Sequence, residues 1–486
     1  MIKRCNGSKI KVLIVGAGKA GKLLANDIKK NKSSGLCVVG FVDDDILKHN
    51  IIIKDSPVLG SINELSRIVK ENEIKELIIA IPSERGKIVR LIIKKTIGLG
   101  LAYKILPNLT EVIMPELGED YLKYVRNVKA EDLLGGEIPK ADKIIIDEFV
   151  KDQTILITGA AGSIGSELSR QIVAYGAKEV ILYDWWENGI FELRNQLLDN
   201  NPKVDIKFII GDIKDQKKLS QVFALYQPTT VFHAAAYKHV PLMESNPAEA
   251  VKNNILGTKI VAETSIKYGV NKFILVSTDK AVNPTNIMGA TKRAAEKIIH
   301  ILSQSQSKTI FCAVRFGNVI NSNGSAIPYF EKQIEKGGPV TVTHKEMTRF
   351  FMTIPEAVHL ILQSWIMGKN NDLFVLDMGE SVKIYELAQL LIALHGYIPE
   401  KEIKIEIIGL RPGEKLYEEI LVKEEESKST SVKKVFRTQN YLNFDKLSFI
   451  DNLDKLRKQI NKEGLDYDSI QQGMLLLVST YKPNIN

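Results

Sequence analysis

The sequence predicts two successive α/β units, each a doubly wound parallel sheet with helices on both faces, the second ending in a smaller subdomain. Three observations predict it. Short apolar runs alternate with helix-like stretches along most of the chain. Twice, at Gly16 and at Gly159, a glycine-rich turn follows such a run and opens a helix. The length of 486 residues exceeds one ordinary domain, and an apolar fraction of 44% lets each unit bury a core.

The elements follow in order. Ile10–Val15 reads as the first strand, Gly16-Ala-Gly-Lys-Ala-Gly21 as the turn, and the stretch to about Lys30 as a helix. Val38–Val42 is a strand closed by Asp43-Asp44-Asp45; helical, strand, helical and strand segments follow to Leu106, and the unit ends near residue 115. Residues 116–150, with Gly135, Gly136 and Pro139, read as a linker. The pattern restarts for a domain spanning 151–486, with strands at Ile155–Thr158, Glu179–Tyr183, Ile206–Ile210, Thr230–His233, Lys272–Ser277 and Ile310–Arg315. From about residue 319 the pattern loosens into the substrate subdomain, and Lys423–Lys434 reads as an exposed charged loop.

Composition removes several function classes. The net charge of +8 comes from 66 basic against 58 acidic residues and fits a solvated lysine-rich surface rather than a nucleic-acid footprint. Cys5, Cys37 and Cys312 are scattered, which argues against a disulfide framework or a zinc site and for a reducing compartment. No metal is expected. Met1–Lys9 lacks the apolar core of a signal peptide, and no apolar run approaches the ~20 residues that cross a bilayer. The chain is therefore expected to be soluble and cytoplasmic, without inserting in a membrane.

In the second unit Gly159, Gly162 and Gly165, with Ser163 and Ile164 between them, place a sharp turn and a helix N-terminus where a pyrophosphate can sit. This spacing is similar to that of short-chain dehydrogenases. Asp184, 19 residues beyond Gly165, can accept from a ribose and would repel a 2′-phosphate, which favours NAD over NADP. Asp212 with Ile213 can hold an adenine, and the small residues Ala234, Ala235 and Ala236 let a cofactor lie against the sheet. In the first unit Gly16, Gly18, Gly21 and Asp43 leave two readings open, a second nucleotide site and a purely structural turn.

Ser277-Thr-Asp-Lys280 ends a strand and is followed by Met288-Gly-Ala-Thr-Lys292. Short-chain dehydrogenases carry Tyr-x-x-x-Lys here, the tyrosine taking a hydroxyl proton and the lysine lowering its pKa. Met288 occupies the tyrosine position. Together with Thr-Gly-Ala-Ala-Gly-Ser-Ile-Gly, His-Ala-Ala-Ala-Tyr-Lys-His-Val-Pro and Ser-Thr-Asp-Lys-Ala-Val-Asn-Pro, these residues resemble the nucleotide-sugar 4,6-dehydratases of polysaccharide biosynthesis, which are extended short-chain dehydrogenases with Rossmann-like sheets. The resemblance runs from the first unit through Lys415. Long members of that family carry membrane helices ahead of the first unit and often methionine in place of the tyrosine, so the chain resembles a soluble form of the long, C5-retaining type. In such relatives the enzyme lies at the cytoplasmic face of the membrane. One departure is Leu133-Leu-Gly-Gly136, after which the family usually has arginine.

The resemblance implies NAD as cofactor, UDP-N-acetylglucosamine as substrate, and a homo-oligomer. A 4,6-dehydratase oxidises C4, loses the C5 proton as the C6 hydroxyl departs, and finishes without net redox change. Lys280, neutral through burial and neighbouring positive charge, is the expected base for C5, and Asp279, protonated, the acid for the C6 hydroxyl. Thr278 would polarise the C4 oxygen and Lys292 hold the nicotinamide ribose, while Asp279, Lys292 or a water takes the C4 hydroxyl proton. Lys238, Asn318, Arg349, Arg411 and Glu414 are the expected substrate contacts, the arginines on pyrophosphate and Glu414 on a ribose hydroxyl.

Overall fold

The computed structural model describes residues 9–81, 86–107, 121–135, 143–199, 203–305, 308–421, 426–439, 443–460 and 467–484. The chain divides into two compact units: Met1–Glu137 with Ser325–Glu346 and Val382–Ile408, and Ile138–Gly324 with Met347–Ser381 and Gly409–Asn486. Two segments of the stretch read as the substrate subdomain thus belong to the N-terminal unit. They meet there through parallel pairing of Val340–Val342 with Ile405–Ile407.

In the first unit the strands Leu36–Val42, Ile10–Val15, Glu76–Ile79 and Ala102–Ile105 lie side by side in parallel, and Arg126–Asn127 adds antiparallel at the edge. Val12, Leu13, Ile14 and Val15 are fully buried, as a central parallel strand covered on both faces requires.

The second unit holds a nine-stranded sheet in the order Asp205–Ile210, Glu179–Asp184, Thr154–Thr158, Thr230–His233, Lys272–Val276, Ile310–Arg315, Asp372–Leu376, Val435–Gln439, Glu426–Ser429. The first seven strands are parallel; Val435–Gln439 pairs antiparallel with the seventh, and Glu426–Ser429 pairs antiparallel with Val435–Gln439. The order reverses at Thr154–Thr158, whose neighbours are the next strand in sequence on one side and the fourth on the other. Such a switch point opens a crevice at the carboxyl ends of the strands, where doubly wound sheets bind ligands. Beneath it, Trp365 is fully buried and packs edge-on against Phe149 and Phe232.

Two sequence expectations change. Residues 426–429 of the expected 423–434 loop form a strand on the sheet edge, while 422–425 lie outside the described residues. The charged, serine-rich composition that suggested a loop also suits an edge strand, where charge discourages pairing with other chains. Cys312 is a free, buried thiol, but Cys37 is disulfide-bonded, which the scattered spacing gave no sign of. Gly136 and Pro139 of the expected linker, and Cys5, lie outside the described residues. Among the described residues, no helix is long and apolar enough to cross a membrane, and no cluster of three or more metal-ligating side chains occurs.

Candidate active site

At the switch point the strand Thr154–Thr158 runs into Gly159, whose φ of +69° lies in the left-handed region that favours glycine. A Cβ there would stand 2.6 Å from the Ala235 nitrogen, so the Ala234–Ala236 turn presses directly on this loop. Gly162 precedes the helix Ser163–Ala174, and a Cβ on it would meet only the Gly159 carbonyl oxygen, at 3.2 Å. No side-chain hydrogen bond caps this helix and no acid lies in its first turn. These residues fit a dinucleotide pyrophosphate.

Asp184, 7% exposed, ends its strand and accepts from the backbone N–H of Ala161 at 2.9 Å and of Trp186 at 2.9 Å. Burial outweighs these donors and raises its pKa. Asp212 is paired with Lys214 at 3.3 Å, and Ile213 is buried against Gly257. The first unit repeats the arrangement: Asp43 accepts from the Ala17 N–H at 2.8 Å, but it also pairs with Lys48 at 3.2 Å. Gly16 there has φ +108°, Gly18 is open, and Gly21 abuts the Gly16 carbonyl.

His233 stitches the switch point together. Its Nδ1 lies 2.7 Å from the Thr158 hydroxyl and its Nε2 2.9 Å from that of Thr258. Full burial, with a smaller effect from the Lys292 charge, depresses its pKa to about 3. An unfolded histidine binds its proton near 6.5, so the stability this ring contributes is present at neutral pH and is lost as pH falls from there towards 3. Lowering the pH to 5 is expected to remove about 2 kcal/mol through this group alone. Urea unfolding at pH 7.5 and 5 checks it: the loss should be smaller by that amount in His233→Gln.

The catalytic candidates gather past the Lys272–Val276 strand. The Thr278 hydroxyl donates to Asp279 Oδ1 at 2.9 Å, and Lys280 Nζ donates to the same oxygen at 3.1 Å. Lys280 Nζ also reaches Asn318 Oδ1 at 2.9 Å and Glu418 at 3.1 Å. Asp279 is 1% exposed, and its Oδ2 is buried without a donor. Burial first, then the Glu418 charge, pushes its pKa well above the ordinary aspartate range. The expectation of a protonated acid is compatible with this environment. The expectation of a neutral Lys280 is not: burial disfavours its ammonium, but the charges of Asp279 and Glu418 outweigh burial and raise its pKa.

Met288 and Lys292 lie one turn apart on the helix Ile287–Ser303, and both are buried. Lys292 Nζ donates to the Val276 carbonyl at 2.7 Å, and burial lowers its pKa to about 8. Behind them Glu296 accepts from Ser277 at 2.6 Å and from Arg315 Nε and Nη2 at 2.7 Å each, with Arg293 at 3.1 Å. Asn254, in a π-helical segment, clamps the Tyr237 backbone and bonds Thr291. The adjoining Lys238 is exposed over much of its surface, yet partial desolvation and the Lys280 charge lower its pKa.

Arg349 does not stand free for a pyrophosphate. Its guanidinium donates to the carbonyls of Thr348 at 2.8 Å, Lys415 at 2.8 Å and Leu416 at 3.3 Å, and its Nε pairs with Glu418 at 3.2 Å. These contacts tie it to the 415–418 segment. Arg411 is exposed, and its backbone N–H donates to Glu414 at 3.1 Å within their own turn. Glu418 and Glu296 were missed in the sequence, because an acid far along the chain carries no local mark of a buried cation partner.

Residues 155–440 match the family described as polysaccharide biosynthesis protein, and residues 2–100 match one described as a CoA-binding domain. A probable polysaccharide biosynthesis protein of Bacillus subtilis (strain 168) is 48% identical over 424 residues, covering 87% of this chain and 70% of that protein. A UDP-glucose 4-epimerase of Rickettsia canadensis (strain McKiel) is 38% identical over 292 residues, covering 59% and 82%. The solved structure of Pen from Bacillus thuringiensis superposes with a TM-score of 0.56 at 35% identity, covering 61% of this chain and 89% of Pen.

Proposed function

The chain belongs to the polysaccharide biosynthesis protein family, and from that premise we propose that it is a nucleotide-sugar 4,6-dehydratase. The reading is NAD-dependent conversion of UDP-N-acetylglucosamine to UDP-2-acetamido-2,6-dideoxy-4-hexulose with C5 configuration retained, for bacterial surface polysaccharide or glycan synthesis. One observation carries it: the buried Asp279 carboxyl stands 3.1 Å from the Lys280 ammonium, in a site where Met288 takes the place of the usual phenol.

Gly159, Gly162 and the first turn of the following helix would hold the NAD pyrophosphate, Asp184 the adenosine ribose, and Lys292 the nicotinamide ribose. NAD bound there supplies the hydride acceptor and donor that leave the reaction without net redox change. The elimination itself needs an acid and a base at neighbouring carbons. Asp279 donates the proton that lets the C6 hydroxyl leave as water. Lys280 takes the C5 proton after passing its own to the Glu418 carboxylate, which accepts from it at 3.1 Å. Lys292, with a pKa lowered to about 8, is a candidate acceptor for the C4 hydroxyl proton. Thr278 orients Asp279 and can reach a C4 oxygen. Lys238 and Asn318 are proposed substrate contacts, and Arg411 and Glu414 would reach the nucleotide by turning out of their own loop. A nucleotide site in the first unit has weaker support, because Asp43 is already paired with Lys48.

The similarity to a UDP-glucose 4-epimerase favours a second reading, 4-epimerisation. Both reactions need an acceptor for the C4 hydroxyl proton, but epimerisation needs no acid for C6, which leaves the Asp279–Lys280 pair without a task. Incubation with UDP-N-acetylglucosamine and NAD separates the two: a product lighter by one water supports dehydration, and an isomer of unchanged mass supports epimerisation. An unaltered substrate overturns both. Proton NMR of the product at C5 reads retention against inversion.

A further inference from the structure

Glu418 lies 138 residues beyond Lys280, and its side chain is only 4% exposed. It stands between two cations, Lys280 Nζ at 3.1 Å and Arg349 Nε at 3.2 Å, and shares the Lys280 ammonium with Asp279. Asp279 uses Oδ1 to accept from Thr278 and Lys280, while its Oδ2 is buried and receives no donor. Two carboxyls that share one ammonium repel each other, and the one with fewer cations around it is the easier to protonate. A proton on Asp279 removes the repulsion, and Oδ2, which accepts from no donor, is the oxygen that can carry it. The proton belongs on Asp279 because Glu418 has Arg349 as well as Lys280 to stabilise its charge. Burial alone would raise Glu418, and these two cations instead hold it low, whereas burial and Glu418 together raise Asp279.

We propose that Glu418 is a positioning residue of the acid/base centre: with Asn318 it fixes the Lys280 ammonium beside Asp279, and its own charge keeps a proton on the Asp279 carboxyl. The acid is thereby loaded before the sugar arrives. This rests on the reading of Asp279 as the acid of a dehydration. Other charged groups facing the pair are Arg349 and, near Lys280, Lys238. Lys415 on the same segment is engaged by the Val282 carbonyl and by Glu419.

The test compares wild type with Glu418→Gln and Glu418→Asp. With glutamine the like charge is gone, so Asp279 ionises more easily. The alkaline limb of the kcat profile should move towards acid by about one pH unit, and aspartate should restore it. A carbon-13 NMR titration of aspartate carboxyls, with the resonance assigned by its absence in Asp279→Asn, reads the same group without substrate. In wild type Asp279 should titrate near neutrality, and in Glu418→Gln clearly lower. A wild-type Asp279 that titrates near the ordinary aspartate value overturns the inference even if the glutamine variant fails to fold. Turnover with an unmoved limb and an unmoved titration overturns it too. No turnover in wild type, with the titration shifted by the glutamine substitution, upholds the role of Glu418 and overturns the dehydratase reading.

Discussion

Lys280→Ala is expected to lower turnover of UDP-N-acetylglucosamine by about 10²–10⁴-fold, the usual contribution of a positioned acid or base, while NAD remains bound. The expectation follows from what the ammonium touches. It donates to Asp279, Asn318 and Glu418 together, so its removal deletes the proposed base and also frees the acid from its orientation. Two carboxyls are then left with Arg349 as the nearest cation. Asp279 can answer by staying protonated, which limits the loss of stability and makes turnover the larger effect. Steady-state assay of the 4-keto product, with bound NAD quantified after denaturation of the same sample, checks both halves. Substantial turnover would remove Lys280 from the mechanism.

Glu296→Ala carries the largest expected effect on stability. Glu296 and Arg315 are fully buried, and the carboxylate also receives Ser277 and Arg293. Burial opposes its charge, but Arg315 and Arg293 hold its pKa down to about 2. Removing it takes the carboxylate partner from a buried guanidinium, for which about 3–5 kcal/mol of destabilisation is expected. Chemical denaturation with circular dichroism measures this. Replacing both partners with apolar residues should recover part of the loss, because a buried pair is worth far less than the penalty of leaving one member alone. Activity should fall as well, since Glu296 joins Ser277, next to the Thr278–Lys280 segment, to the helix carrying Met288 and Lys292.

The parallel sheets were legible because their central strands are continuous apolar runs, a signal that needs no knowledge of distant contacts. Ile10–Val15 and Thr154–Thr158 emerge with the expected bounds to within a residue. Asp372–Leu376 was not assigned, since it lies in a stretch of looser pattern. The glycine loop, Asp184 and the Asp279–Lys280 pair were readable as local motifs. Charge states were not. The proton inventory of Lys280 depends on Glu418, and the engagement of Arg349 depends on carbonyls at 415 and 416, contacts that only the folded chain brings together.

The two compact units do not follow one another along the chain. The backbone changes unit after residues 137, 324, 346, 381 and 408. A truncation ending at residue 137 would therefore retain the Gly16 loop yet omit the paired strands 340–342 and 405–407 of the same unit. A fragment beginning at 138 would carry both inserted segments without the body they pack on. For expression, proteolysis or domain exchange, the indivisible piece is the whole weave, and the tandem look of the sequence is misleading about where it can be cut.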